Sequence, residues 1–329
     1  MSSERVDISL LNPDASYRGA SNGEALPAHA SPTYYDRPLL KKPHWEWEVV
    51  TYLFMGGLMG GSGILVALAD EDGGDAELAR SARYVSFALA ATCPLILIKH
   101  LGRPERFLHM LRIVKFKSVM SMGVWGLILF SAPATAAAVA QAADDGLLPG
   151  WLGALAPRAV MKPAQAALGA FIAGYTGVLL SATAIPVWAI GKRFIPAFSV
   201  CSGMAGACAV NAAVLTLTGS KPATLAKLER LELVASLAEL ALLLGFRRHA
   251  GDLGKPMYDG PRGTKLRTWT LGAGIVVPAL LNLLPVHARW KTLLASALTL
   301  AGGYVLRETL IEAGKASSED PKAASRQPE

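Results

Sequence analysis

The chain of 329 residues is 52% hydrophobic and only 17% charged, with a formal net charge of +7. Its charges cluster between long uncharged stretches, which excludes an ordinary soluble surface and describes a polytopic membrane protein. Basic loops beside anionic lipid account for the positive balance, so nucleic acid is excluded as a partner.

Residues 1–47 form a polar extension rich in Pro, Ser and Asn, without the apolar core of a cleaved signal peptide. Stretches free of Asp, Glu, Lys and Arg then follow at 49–69, 84–98, 118–143, 163–191, 194–220, 268–288 and 292–306. A helix needs about 20 residues to cross the bilayer core, and fewer where flanking cations snorkel. An eighth stretch, 231–246, is interrupted by two glutamates. The expected fold is therefore all-α, with eight transmembrane helices bundled over residues 48–312. Composition assigns 313–329 to a disordered tail.

Eight spans put both termini on one side. The N-tail, the 99–117 loop, the Lys192–Arg193 turn, the 247–267 loop and the C-tail share that side and collect 23 of the 32 Lys and Arg. Cations are retained in the cytoplasm, so both ends are expected there. The acidic run at 70–77 falls on the opposite face.

Within span 1, "MGGLMGGSG" spaces glycines four apart, which lets helix backbones approach closely; such a face can also leave room for a flat ring. Thr51 and Ser62 are expected to bond back to their own helix. Tyr175 sits near the centre of span 4, where a phenol needs a partner for its hydroxyl, either a neighbouring helix or a ligand. Pro186 in the same span implies a kink. Span 6 carries Glu232 and Glu239, seven residues apart, so both share one stripe about 10 Å apart along the axis. Carboxyls at that depth face a bundle interior and are suited to proton relay. Glu239 is the deeper; Glu232 lies near the end, where interfacial solvation suffices. The far half of the bundle shows few titratable groups at depth, so no proton path across the whole membrane is expected.

The three cysteines, Cys93, Cys201 and Cys208, all lie in spans and behave as small apolar side chains. Four thiolates for a cluster are lacking, and the six histidines lie in tails, loops or span edges, away from the depth a membrane haem needs. Neither haem, an iron–sulfur cluster nor a metal site is expected in this chain. Electrons handled here must come from a partner's centres.

The segments "YLFMGGLMGGS" (52–62), "HLGRPERFLHMLR" (100–112), "SVMSMGVWGL" (118–127) and "GYTGVLLSATAIPVW" (174–188), with "AGG" at 301–303 and Arg307, resemble the NrfD/PsrC-like family. These are membrane subunits of polysulfide-reductase-type molybdoenzyme complexes. The resemblance implies a cofactor-free bundle that binds an exchangeable menaquinone or ubiquinone near one face. It also implies docking to a ferredoxin-like iron–sulfur subunit, which serves a molybdopterin catalytic subunit containing molybdenum or tungsten. Tyr175 matches the tyrosine at the family's quinone site, and "LGRP" at 101–104 matches its hallmark loop. Tyr52 falls near quinone-pocket residues of relatives. Where the family often has Asp before "LGRP", this chain has His100, which keeps a proton-relay role without the negative charge.

The candidate quinone-binding residues are thus Tyr175, Tyr52, His100 and Arg103, with Glu239, Glu232 and His100 for proton transfer. Arg103 either pairs with Glu105 or snorkels to lipid phosphate. Arg106, Arg112, Lys115 and Lys117 offer a cationic surface to an acidic partner. The 33–48 segment, on the same side, is expected to run along the iron–sulfur subunit. A formate dehydrogenase-type complex is the expected setting. A purely structural anchor and an ion transporter using the two glutamates are the alternatives.

Overall fold

A computed structural model describes residues 40–69, 74–101, 103, 105–284 and 288–320. Among them there is no strand, and eight long helices alternate in direction: α1 Trp47–Ala69, α2 Ala76–His100, α3 Val119–Asp144, α4 Arg158–Ser181, α5 Ile195–Thr218, α6 Pro222–Ala250, α7 Gly260–Leu283 and α8 Arg289–Glu319. Six are long and apolar enough to cross a membrane; α6 and α8 are longer still but carry more charge. The chain is a multi-pass membrane protein.

Helix α1 is the hub, packed on α2, α4, α5 and α8. Its glycines make this possible, because a Cβ on Gly57 would meet the backbone of Gly203 at 3.2 Å and one on Gly61 would meet Gly203 and Ala207 at 2.7 Å. Gly60 lies against Gly169 and Ala173 of α4. All are spent on helix contact, so the flat-ring alternative for this face is not the one realised. Thr51 does bond back to Trp47 O at 2.8 Å, whereas Ser62 accepts from Asn211 of α5 at 3.3 Å.

Several boundaries differ from the hydropathy windows. Span 4 does not run to 191 through a kink. Helix α4 stops at Ser181, and Pro186 instead starts a separate turn, Pro186–Ile190, where its missing N–H costs nothing. Span 7 ends at Leu283 and includes a π-helical stretch, Leu266–Val276, beside α8, where Thr270 donates to Gly302 O at 3.1 Å. Helix α8 continues through residues 313–319, assigned above to a disordered tail, because buried Ala313, Gly314, Ser317 and Ser318 pack against the Pro186–Ile190 turn. There Trp188 donates to Leu310 O at 2.9 Å and the Val187 N–H to Ser317 Oγ at 3.2 Å. Trp45 stacks on Trp188 with ring centroids 5.0 Å apart, and Lys42 meets Glu319 at 2.7 Å. The described part of the 33–48 segment therefore docks on its own chain; residues 1–39, 70–73 and the tail beyond 320 lie outside the described residues.

The end of the bundle opposite the 99–117 loop is closed by a polar belt. Asp75 caps α2 and also accepts from Thr224 at 2.7 Å and Lys227 at 3.3 Å, tying α2 to α6. Asp145 gathers Tyr84 at 2.6 Å, Arg80 at 2.9 Å and Gln141 at 3.0 Å. Partial burial pushes both carboxyls up, but these hydrogen bonds outweigh it and hold them below the usual carboxylate range.

Candidate functional site

Two buried tyrosines lie near the end of the bundle that carries the 99–117 loop. Tyr52 lies about five residues into α1 and Tyr175 about six from the end of α4, so both sit roughly 8 Å inside the helix ends. Tyr52 lies within electrostatic reach of Tyr175 and Cys93. The Tyr175 ring lies flat against Gly123 of α3, a position that any side chain would fill, and stacks on Phe171 with centroids 5.9 Å apart. Its hydroxyl donates to Val119 O at 2.9 Å, so the neighbouring-helix partner expected of a buried phenol is present. That bond pins α4 to the start of α3, directly after the cationic loop.

His100 is the last residue of α2 and is half-buried. Arg103 is exposed, and among the described residues it makes no ion pair with Glu105. Lys99 instead sits over the Trp47 ring at 4.4 Å, an interfacial cation–π contact. Arg112, Lys115 and Lys117 are exposed, interleaved with exposed Leu108, Ile113 and Phe116. The side chain of Arg106, and residues 102 and 104, lie outside the described residues.

Deeper in the bundle a second polar group forms. Glu239 is 4% exposed, hydrogen-bonded by Ser202 of α5 and opposed by the charge of Arg307 on α8. Arg307 is equally enclosed and donates from Nη2 to Ser199 O at 3.1 Å, while its Nε and Nη1 and the Ser199 hydroxyl have no partner. Buried N–H groups of a guanidinium left unpaired are expensive, and they mark a place where water or a passing polar group is accommodated. Glu232 is not interfacial as expected, since α6 starts ten residues earlier at Pro222 and leaves it 2% exposed. Thr299 donates to its carboxylate at 2.6 Å and Asn282 also bonds it. Further along, Lys291 and Thr292 bond Glu229 at 3.3 and 3.1 Å. The far half of the bundle thus holds more buried titratable groups than expected, because α6 and α8 carry them inward on facing stripes.

Tyr52 and Tyr175 are brought together by the fold, and His100 ends the neighbouring helix. Glu239 and Glu232 belong to a separate, deeper group. Its partner Arg307 is not among the candidate site residues drawn from sequence: the last apolar window stops at residue 306, which makes an interior arginine look like a span edge. Cys93, Cys201 and Cys208 are all free.

The chain's likeness to known proteins is extensive. The family model described as "Polysulphide reductase, NrfD" matches residues 40–318. Protein NrfD of Escherichia coli (strain K12) is 27% identical over 304 residues, covering 82% of this chain and 95% of that protein. The Protein NrfD homolog of Haemophilus influenzae (strain ATCC 51907 / DSM 11121 / KW20 / Rd) is 25% identical over 307 residues, covering 82% and 94%.

Proposed function

Because the chain belongs to the polysulphide reductase, NrfD family, we propose that it exchanges electrons between a partner's iron–sulfur subunit and membrane quinone. The observation that carries this reading is the Tyr52–Tyr175 pair, buried just beneath an exposed cationic loop. A carrier dissolved in lipid can reach that depth, and a soluble partner can reach that loop. In this reading all eight long helices span the membrane and both termini face the cytoplasm, as the distribution of Lys and Arg favours.

Menaquinone or ubiquinone supplies two-electron, two-proton redox chemistry when bound. The chain's own residues position it and handle protons. The seam between α1 and α4 has no room for a methyl group at Gly60 and the Tyr175 ring fills the space beside Gly123, so the headgroup would meet Tyr175 at its hydroxyl end, by the start of α3. There the phenol hydroxyl, already held by Val119 O, can share its proton with a ring oxygen, and Tyr52 and Arg103 bind the headgroup. His100, at the end of α2, passes protons to the cytoplasmic surface through its imidazole nitrogens. Glu239, with Glu232 beyond it, is the inner proton reservoir, placed opposite Arg307 of α8. Arg106, Arg112, Lys115 and Lys117 receive an acidic ferredoxin-like subunit, which connects to a molybdopterin catalytic subunit of formate dehydrogenase type.

Tyr175→Phe tests the reading. It removes the hydroxyl and keeps the ring beside Gly123, so the complex should assemble with its iron–sulfur subunit while quinone-coupled turnover falls at least tenfold. Unchanged turnover in an assembled complex would return the chain to a purely structural anchor.

A further inference from the structure

At the end opposite the tyrosine pair, a cavity of about 330 Å³ opens between α2, α3 and α4. Val66, Ala137, Ala140 and Met161 form its apolar floor, and Arg83, Arg158, Lys162 and Asp144 its charged rim. Asp144 is committed to Arg158 at 2.7 Å, and Arg83 donates to Gln141 at 2.6 Å. Lys162 has no ion-pair partner among the described residues. This rim holds three cations on the face where only 9 of the chain's 32 Lys and Arg fall.

Two features show that the charge is aimed at something. Helix α4 begins with Arg158, which Asp144 answers, and places Lys162 one turn on with no acid in the helix's own first turn, so Lys162 sits near the positive end of the helix dipole without an anion of its own. A helix start normally avoids this, and a bound anion relieves it. Gln165, one turn further in, also lines the cavity; it is 0% exposed, and both its amide oxygen and nitrogen lack any partner. A buried amide in this state needs an acceptor for its NH₂ and a donor for its oxygen.

We propose that this cavity holds the phosphate headgroup of a membrane lipid whose headgroup also carries a hydroxyl or ammonium donor. Phosphate answers Lys162, Arg83 and the Gln165 NH₂, and the headgroup donor answers the Gln165 oxygen. The depth fits a lipid. Trp151 at 64% and Leu155 at 72% exposure lie at the same end of the bundle, where aromatic and apolar side chains mark the headgroup boundary. The apolar floor then receives the first carbons of an acyl chain. A free phosphate would satisfy the rim but leave that floor wet.

Native mass spectrometry of the full chain, purified in detergent with the subunits it carries and titrated with phosphatidylglycerol, tests the site. One lipid should remain bound to the wild type, and Lys162→Ala and Gln165→Leu should each weaken its retention about tenfold, the worth of one charge-assisted hydrogen bond. Lys162→Arg should retain it, as should Lys221→Ala elsewhere on the same face. Equal retention in wild type and Lys162→Ala overturns the proposal, as does displacement of the lipid by inorganic phosphate at equal concentration. Lys162 stands on the half-exposed rim, so its variants decide the matter even if Gln165→Leu fails to assemble.

Discussion

The seam between α1 and α4 and the seam between α6 and α8 solve the same problem in opposite ways. In the first, Gly60 meets Gly169 and Ala173, and there backbone packs on backbone. In the second, Thr299 bridges to Glu232 and Lys291 to Glu229, and Arg307 opposes Glu239 with two of its nitrogens unpaired. Close packing drives association in lipid at little cost, whereas buried charge opposes it unless fully matched. The difference teaches that one seam is held by shape and the other by buried polar pairs that stability alone would not select.

Arg307→Leu should break that contrast most severely. It leaves Glu239 buried without its counter-charge, at a cost of about 3 kcal/mol or more, and the thermal midpoint in detergent should drop accordingly. The double variant Arg307→Leu with Glu239→Leu should recover much of the loss, since an apolar pair of similar volume tolerates the site; a double variant no more stable than Arg307→Leu would show that the charges frame the fold after all. Next in size is Gly60→Ala, which forces a methyl into the backbone of α4 and should cost about 2 kcal/mol through overpacking. A wild-type melting curve for Gly60→Ala would mean that the first seam has slack.

Tyr175→Phe should cost only about 1 kcal/mol, the worth of the bond to Val119 O, while affecting turnover far more. The smallest effect is expected from acid acting on the polar belt. Asp75 and Asp145 are held below their ordinary range, so their stabilisation is complete above about pH 4, the unfolded carboxylate value, and is lost as pH falls through their lowered values. Asp75→Asn should flatten that acid limb in a pH series of thermal midpoints and leave neutral-pH stability slightly reduced. An unchanged limb would remove Asp75 from the belt.

Hydropathy made the eight long helices legible because length and apolar content are written residue by residue. It misjudged their ends. Pro186 looked like a kink because a charge-free window does not register the turn at Ala182–Ile185, and residues 313–319 looked disordered because their polar side chains bury against a distant turn. Of the site, Tyr175 and Glu239 were legible as polar groups out of place in an apolar run. Arg307 was hidden by the rule that defined the window, and Gln165 carried no sign of its isolation, since an uncharged amide near a helix start reads as ordinary until its neighbours are known.

The corner where Trp45 lies on Trp188 and Lys42 meets Glu319 draws together the two ends of the described chain. On the ribosome, Trp45 emerges early, but its partner Trp188 is locked in place only when Leu310 and Gly314 of α8 arrive to hold it. Insertion into the bilayer can therefore finish helix by helix while this clasp is still open. A chain cut short before Leu310 would keep most of its apolar helices yet lose the carbonyl to which Trp188 donates, leaving the clasp nothing to close on.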